Sequence, residues 1–242
     1  SFFSVAPVLP GNGRVARGGL FTEGYRMRCV VFDLDGTLAD TSADLLAAAN
    51  ACFEVPPLDA GDALTAFHGG RAMLRLGFTR MGQDWTEADV DRAYPRLLAH
   101  YAEGIDTHTR LYPGAAEAVI ALRQAGYATA ICTNKPEGLA ETLMRRLGVR
   151  DLFGSLIGAD TLPTRKPDPA PYRAAVEQAG GSVPRSMLIG DTETDRKTGI
   201  AAGVPVALVT FGPEGDAVSR LSPEALLHRF EDLPDLVERL LG

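Results

Sequence analysis

The chain has 242 residues, enough for one large domain or two small ones, and its 45% hydrophobic and 23% charged content is ordinary for a globular protein. Its formal net charge of -7 disfavours nucleic acid or an anionic membrane as the main partner. The three cysteines lack metal-type spacing, and no apolar run approaches the roughly 18 residues of a membrane span. We therefore expect a cytoplasmic protein with reduced thiols.

Residues 1–26 precede the first predicted strand. They are rich in Pro and Gly and lack the ordered regions of a signal peptide. Residues 11–16 match the Gly-x-Gly-x-x-Ala pattern of dinucleotide sites, but prolines interrupt the strand that should come before it, and no βαβ unit fits before Cys29. We interpret 1–26 as an extension of unknown role and Met27 as the start of the domain.

The first predicted strand ends in two carboxylates. Residues 29–32 form an apolar run typical of a strand buried on both faces, and Asp33 and Asp35 follow it. Positions i and i+2 of a strand point to the same side, and Gly36 permits a sharp turn. Two carboxylates at the carboxyl end of a strand favour a divalent cation and a division of labour between attack and proton transfer.

Residues 33–37, Asp-Leu-Asp-Gly-Thr, resemble the opening motif Asp-x-Asp-Gly-Thr of the haloacid dehalogenase superfamily of phosphotransferases. The resemblance implies that Asp33 is the nucleophile, which forms an aspartyl-phosphate, and that Asp35 is the general acid and base. It also implies Mg²⁺ as the cofactor, held by Asp33 and by the backbone carbonyl of Asp35. We expect Thr37 to contact the substrate.

A helical insertion is predicted directly after this motif. Thr41 or Ser42 is suited to cap a helix that runs to about residue 54, and three further helices are predicted within 59–104, with no strand pattern from 41 to 110. An all-helical insertion at this position resembles the C1-type cap of the superfamily. We therefore predict a cap domain over residues 42–111.

The stretch His68-Gly69-Gly70-Arg71 interrupts two of the cap helices. It has two interpretations. It is either a plain helix break or a loop that reaches over the active site. In the second interpretation Gly70 allows a close approach to the substrate and Arg71 binds an anionic substrate group.

The chain then returns to the α/β pattern. A helix is predicted over 114–124 and a strand over 127–132, which ends in Thr133 and Asn134. This resembles the second motif of the superfamily, which implies that the Thr133 hydroxyl and the Asn134 backbone N–H bind the transferring phosphoryl group. The alternative is a simple cap of the next helix, predicted over 137–147.

After a short strand predicted over 155–158 comes Arg-Lys-Pro-Asp-Pro, residues 165–169. Pro169 fits a helix start and Pro167 stiffens the loop. The segment resembles the third motif, which implies that Lys166 neutralises charge around the nucleophile and the phosphoryl group. The alternative is an exposed loop lysine.

The fourth motif follows a helix predicted over 171–179 and a strand over 186–189. Residues 190–195 resemble the Gly-Asp-x-x-x-Asp motif of the superfamily, which implies that Asp191 binds the metal. Asp195 lies one helical turn later and is expected to act through water or by pairing with Lys166. The alternative is an acidic first helical turn. A last strand is predicted over 204–209, then short helices and an edge strand near 226–230.

The sequence thus predicts a doubly wound α/β core, residues 27–41 and 112–242, with the helical cap between its two parts. The resemblance implies an Mg²⁺-dependent phosphatase for a small phosphorylated metabolite, a monomer or homodimer that binds neither nucleic acid nor membranes.

Among the branches of the superfamily the chain is most similar to the phosphoglycolate phosphatase group. Dehalogenases lack an Asp at position 35, and the phosphonoacetaldehyde hydrolases and sugar phosphomutases use a cap lysine, which residues 41–112 lack. Nucleotides, pyrophosphate and amino-sugar phosphates remain alternative substrates. A non-catalytic regulatory protein of the same fold is a further alternative, against which the intact Asp33 and Asp35 argue.

Overall fold

The computed structural model describes residues 26–82 and 84–242, so residues 1–25 of the predicted extension lie outside it. The strands are β1 (Met27–Phe32), β2 (Ala39–Asp40), β3 (Arg110–Leu111), β4 (Ala128–Cys132), β5 (Ser155–Ile157), β6 (Gly181–Gly190), β7 (Val206–Val209) and β8 (Ala225–Leu227). The helices are α1 (Ser42–Asn50), α2 (Ala63–Phe67), α3 (Gly70–Arg80), α4 (Glu87–Glu103), α5 (Ala115–Gln124), α6 (Glu137–Arg146), α7 (Pro169–Gln178), α8 (Glu193–Ala202) and α9 (Leu233–Leu241).

Six of these strands form one parallel sheet in the order β5-β4-β1-β6-β7-β8. Alternate residues of β1 enter opposite layers: Val30 and Phe32 join the core under α5, α6 and α9, while Cys29 and Val31 join the core under α7. Because helices cover both faces, the strands are continuous apolar runs, and burying each large aliphatic side chain contributes about 1.5–3 kcal/mol. The predicted doubly wound α/β core with a helical cap is confirmed.

Helices α1 to α4 lie between β2 and β3 and pack against one another. The prediction that the first helix continues to about residue 54 is wrong, because α1 ends at Asn50. The Asn50 side-chain amide donates to Leu58 O (2.9 Å), and its carbonyl accepts from Leu58 N (3.0 Å). These two bonds double the chain back at the end of the helix. The predicted boundaries at 42 and 111 stay a prediction.

The two connections between cap and core are tied together. Strands β2 and β3, one in each connection, pair antiparallel, a ribbon that the sequence analysis does not predict because each strand has two residues. Asp44 of α1 is buried, and its carboxylate accepts bonds of 2.8–3.0 Å from the backbone of His108 and from the backbone and hydroxyl of Thr109. The start and the end of the helical insertion are therefore held side by side.

Most other predicted elements are present with shifted ends. Helix α7 begins at Pro169 rather than at 171, β6 begins at Gly181 rather than at 186, β7 begins at Val206 rather than at 204, and the last strand spans Ala225–Leu227 rather than 226–230. Element ends are the part of a periodic pattern that carries least information. Within the described residues, each helix is too short or too polar to cross a membrane.

Candidate active site

The four predicted motifs meet at one edge of the sheet. Asp33 follows β1, Thr133 follows β4, and Asp191 follows β6, while Lys166 lies in the loop between β5 and α7. Strands β5, β4, β1 and β6 are neighbours and run parallel, so their carboxyl ends lie side by side. This is the edge at which open α/β sheets bind ligands.

The turn after β1 needs a glycine. Gly36 has φ +78, and a Cβ at this position would overlap Asp191 Oδ2 and meet the ring of Phe67 from α2. The next residue, Thr37, is fully buried and donates from its hydroxyl to Asp191 Oδ1 at 2.9 Å. The turn therefore brings the first motif against the fourth, and Phe67 brings the cap against both. The predicted contact of Thr37 with the substrate stays a prediction.

Lys166 joins the predicted nucleophile to the fourth motif. Its side chain is buried, and its Nζ lies 3.1 Å from Asp33 Oδ1 and 2.7 Å from Asp195 Oδ1. Asp33 Oδ1 also accepts the backbone N–H of Leu34 at 2.7 Å. Of the two roles expected for Asp195, the structure has the pairing with Lys166.

The site holds more negative than positive charge. Burial raises the pKa of Asp33 to about 7, with the charges of Asp195 and Asp35 acting in the same direction and Lys166 opposing them. Burial, together with Asp33 and Asp195, also raises the pKa of Asp191. Burial acts to lower the pKa of Lys166, but Asp195 and Asp33 raise it above its usual value. A second cation would therefore stabilise the ionised carboxylates.

Three carboxylates form a possible cation site among the described residues: Asp33, Asp191 and Asp195 each offer an oxygen within 4.8 Å of the others. Asp195 uses both oxygens within the protein, because Oδ1 binds Lys166 and Oδ2 accepts from Thr192 N, Thr192 Oγ1 and Asp191 N. In Asp33 and Asp191, Oδ2 has no hydrogen-bond partner within the described ranges. This donor set fits the predicted ligands Asp33 and Asp191, with Asp195 orienting them.

The predicted general acid and base has its own cation, which the sequence analysis missed. Asp35 Oδ1 accepts from Lys135 Nζ at 2.8 Å and from Thr41 Oγ1 at 2.6 Å. Burial acts to lower the pKa of Lys135, but Asp35 raises it above its usual value. A signal was available, because the chain has only three lysines and Lys135 directly follows the second motif. Thr41, one of the two residues predicted to cap α1, makes no side-chain cap bond.

A residue of the second motif, Asn134, holds the loop of the third motif, which contains Lys166. Thr133 Oγ1 accepts the backbone N–H of Lys135 at 3.1 Å, so its own hydroxyl proton is available to a ligand. The Asn134 side chain donates to the carbonyl of Lys166 at 2.9 Å and thereby holds the lysine loop. The roles predicted for Thr133 and for the Asn134 backbone in phosphoryl binding stay predictions.

The two residues predicted in the cap make contacts within the cap. Gly70 lies against α4, where a Cβ would come within 3.0 Å of the Tyr94 ring. Arg71 is ion-paired with Asp91, and its guanidinium lies 4.4 Å from the centroid of Tyr94. Both partners of Arg71 lie on α4, so its charge is partly compensated before any substrate binds. Substrate binding by Arg71 stays a prediction.

Comparison with known proteins agrees with this geometry. The family model described as haloacid dehalogenase-like hydrolase matches residues 27–203. A phosphoglycolate phosphatase of Mesorhizobium japonicum is 39% identical over 217 residues, which are 88% of this chain and 96% of that protein. One from Agrobacterium fabrum is 38% identical over 218 residues, 88% of this chain and 93% of that protein. The predicted enzyme class, a phosphoric monoester hydrolase, is confirmed.

Solved structures share the fold. A crystal structure from Haemophilus somnus 129PT, described as a predicted phosphoglycolate phosphatase, has a TM-score of 0.75 at 24% identity and covers 87% of this chain and 97% of its own. CbbY from Rhodobacter sphaeroides, solved in complex with phosphate, has a TM-score of 0.70 at 21% identity and covers 86% and 96%. The family model, which covers residues 27–203, and the relatives at 38–39% identity show that the chain belongs to the family of haloacid dehalogenase-like hydrolases.

Proposed function

We propose that this chain is an Mg²⁺-dependent phosphatase that hydrolyses 2-phosphoglycolate through an aspartyl-phosphate on Asp33. One observation carries the chemistry: the two aspartates of the first motif bind different lysines, Asp33 with Lys166 at 3.1 Å and Asp35 with Lys135 at 2.8 Å. Different surroundings allow two neighbouring carboxylates to take different roles. The names of the relatives from Mesorhizobium japonicum and Agrobacterium fabrum support the substrate.

The first half-reaction transfers the phosphoryl group to the protein. A carboxylate oxygen of Asp33 forms a bond to phosphorus while the bond from phosphorus to the ester oxygen breaks. Asp35 gives a proton to that oxygen, and glycolate leaves as the alcohol. Lys166 and the Thr133 hydroxyl face the transferring group and stabilise its oxygens, where charge develops.

The second half-reaction restores the enzyme. Asp35, now ionised, takes a proton from a water molecule whose oxygen attacks phosphorus, and the bond from phosphorus to Asp33 breaks. Phosphate leaves, Asp33 is again a carboxylate, and Asp35 is again protonated. Asp33 and Asp191 would hold Mg²⁺, which when bound supplies positive charge beside the phosphoryl oxygens.

The test is a substrate survey of the full chain with Mg²⁺ or with EDTA. We expect the highest kcat/KM on 2-phosphoglycolate, lower values on nucleotides, pyrophosphate and amino-sugar phosphates, and no turnover in EDTA. A clear preference for one of the other substrates would overturn the substrate but keep the phosphatase. Lack of turnover on every ester, including p-nitrophenyl phosphate, would favour the regulatory alternative.

A further inference from the structure

Lys135 contacts the cap as well as Asp35. Tyr101 lies in the last turn of α4, and the Lys135 Nζ is 4.4 Å from the centroid of its ring. Both side chains are almost completely buried, since Lys135 is 6% and Tyr101 1% exposed. A cation on an aromatic face is a favourable contact. Lys135 therefore lies between the predicted acid of the core and a tyrosine of the cap.

Polar groups of this pair are left without partners. The Tyr101 hydroxyl oxygen is the buried side-chain polar atom that lacks a hydrogen bond in the described part of the chain. Lys135 has three N–H donors; one donates to Asp35 at 2.8 Å, and a weaker interaction with the Tyr101 hydroxyl helps to raise the pKa of Lys135. A buried polar group without a partner is costly and therefore calls for a ligand or a water molecule.

Burial and the neighbouring charges also set the pKa of the Tyr101 hydroxyl. Burial raises the pKa of Tyr101 to about 12; Lys135 acts to lower this pKa and Asp35 to raise it further. The phenol therefore keeps its proton at neutral pH and is a donor. The Lys135 ammonium lies 4.4 Å from the centroid of the Tyr101 ring, and the ammonium and the phenol can each donate to a ligand. The acceptor that suits this donor set is an anion with two oxygens, such as a carboxylate.

The position of this donor set relative to the reaction decides which part of a substrate it meets. Asp35, as the acid, has to contact the ester oxygen of the leaving group. Its Oδ1 is occupied by Lys135 and Thr41, which leaves Oδ2 for that contact. In 2-phosphoglycolate a single methylene separates the ester oxygen from the carboxylate. A group that binds beside Asp35 therefore lies within reach of Lys135.

We infer that Lys135 Nζ and Tyr101 Oη form the subsite that binds the carboxylate of the leaving group, so that the enzyme selects phosphorylated 2-hydroxy acids. This inference rests on the proposed phosphatase function. One half of the subsite belongs to the core and the other to the cap, so a closed cap completes it. Tyr101 is buried, which favours a short leaving group over one as large as a nucleoside.

The test compares two substrates that differ in the carboxylate. Ethyl phosphate has the same short chain as 2-phosphoglycolate but lacks the charge. In Tyr101→Phe the ring remains over Lys135 and the hydroxyl is lost, and we expect the ratio of kcat/KM for phosphoglycolate to that for ethyl phosphate to fall about tenfold or more. Lys135→Met should lower the ratio further, and it should also slow both reactions because Lys135 contacts Asp35.

Two controls accompany these variants. Tyr127→Phe removes a hydroxyl that donates to Glu238 at 2.7 Å, just before β4 and away from the carboxyl ends of the strands, and should keep the wild-type ratio. Competitive inhibition by glycolate, with p-nitrophenyl phosphate as substrate, gives a second measure. We expect the inhibition constant to rise about tenfold in Tyr101→Phe and to stay constant in Tyr127→Phe.

An unchanged ratio in both Tyr101→Phe and Lys135→Met would overturn the subsite and leave a water molecule as the partner of the two groups. A fall of the ratio in Arg71→Ala alone would also overturn it and assign the carboxylate to Arg71. If the wild-type protein hydrolyses phosphate esters but does not prefer 2-phosphoglycolate to ethyl phosphate, the proposed substrate fails as well. The two failures are thus distinguished by the wild-type measurement.

Discussion

At the scale of single residues, each aspartate of the first motif is held by its own lysine. Asp33 lies against Lys166, which is anchored by Asp195, and Asp35 lies against Lys135, which is covered by Tyr101. Removing one partner of a buried ion pair strongly destabilises the folded protein, because the other charge remains buried without compensation. The two pairs therefore fix the orientation of both carboxylates before a substrate arrives.

Replacing the predicted nucleophile tests its role directly. Asp33→Asn keeps the size of the side chain but replaces the carboxylate by a poor nucleophile, while Lys166 keeps its bond of 2.7 Å to Asp195. We expect kcat to fall by more than about a hundredfold while the circular dichroism spectrum is retained. A variant that keeps more than about a hundredth of the wild-type kcat would assign the attack to another group.

The hydroxyl that orients Asp191 gives a second test at this scale. Thr37→Val removes the bond of 2.9 Å to Asp191 Oδ1 with little change in volume. Groups that orient a metal ligand typically affect affinity by 10–100-fold, so we expect the Mg²⁺ concentration for half-maximal activity to rise by about tenfold.

Thr129→Val is the matched control. Thr129 is equally buried in β4, where its hydroxyl donates to the carbonyl of Leu152 rather than to a site residue. We expect its Mg²⁺ requirement to equal that of the wild type. The same rise in both variants would mean that loss of packing, and not the orientation of Asp191, changes the response to the metal.

The sequence predicts the residues at the strand ends because each follows a continuous apolar run, and parallel strands end at one edge. It does not predict the pairing of Lys135 with Asp35, which lie 100 positions apart. It also does not predict Tyr101 over Lys135, which depends on how α4 packs on the core. Asp33 and Asp191 are thus found from local pattern, whereas Lys135 and Tyr101 require the tertiary structure.

At the scale of elements, the cap helices follow from helical periodicity, but their connections to the core do not. The ribbon of β2 and β3 is too short for a period-two pattern. Asp44 looks in the sequence like an ordinary acidic residue of a first helical turn. Its partners, the backbone groups of His108 and Thr109, lie at the other end of the insertion.

We expect Asp44→Ala to destabilise the fold through these connections. The substitution removes the acceptor of the N–H groups of His108 and Thr109 and of the Thr109 hydroxyl, and the two Thr109 groups are buried. Leaving buried donors without partners should lower the free energy of unfolding by about 2–4 kcal/mol, and hence Tm by roughly 5–10 °C. Thermal unfolding followed by circular dichroism measures the change.

Asp40→Ala is the control, because Asp40 lies in the same connection but is exposed, and within the described residues its side chain bonds only to Ser42. Its Tm should stay within about 2 °C of the wild type, as for most surface substitutions. Equal losses in the two variants would mean that the helix start, and not the link between the two connections, carries the stability.

At the scale of the whole molecule, charge is distributed unevenly. The net charge is -7, yet two of the three lysines are buried at the carboxyl edge of the sheet, where they lie against carboxylates. The sequence shows the scarcity of lysine but not this concentration, which arises only when β4 pairs with β1 and β5 with β4, so that the loops after β4 and β5 come near the end of β1. Even with both lysines, the raised pKa values of Asp33 and Asp191 indicate uncompensated negative charge.

This uncompensated negative charge predicts that Asp191→Asn has a higher Tm than the wild type in EDTA but gains less Tm from Mg²⁺. Asp191→Asn removes a buried negative charge beside Asp33, so in EDTA its Tm should exceed that of the wild type. With Mg²⁺ at about 100 times its Kd, mass action stabilises the wild type by about 2.7 kcal/mol, roughly 5–10 °C, and the variant should gain far less. Asp160→Asn, at an exposed carboxylate that accepts from Glu137 N, should respond like the wild type. If Mg²⁺ raised the Tm of Asp191→Asn as much as that of the wild type, the result would show that the metal does not bind at Asp191.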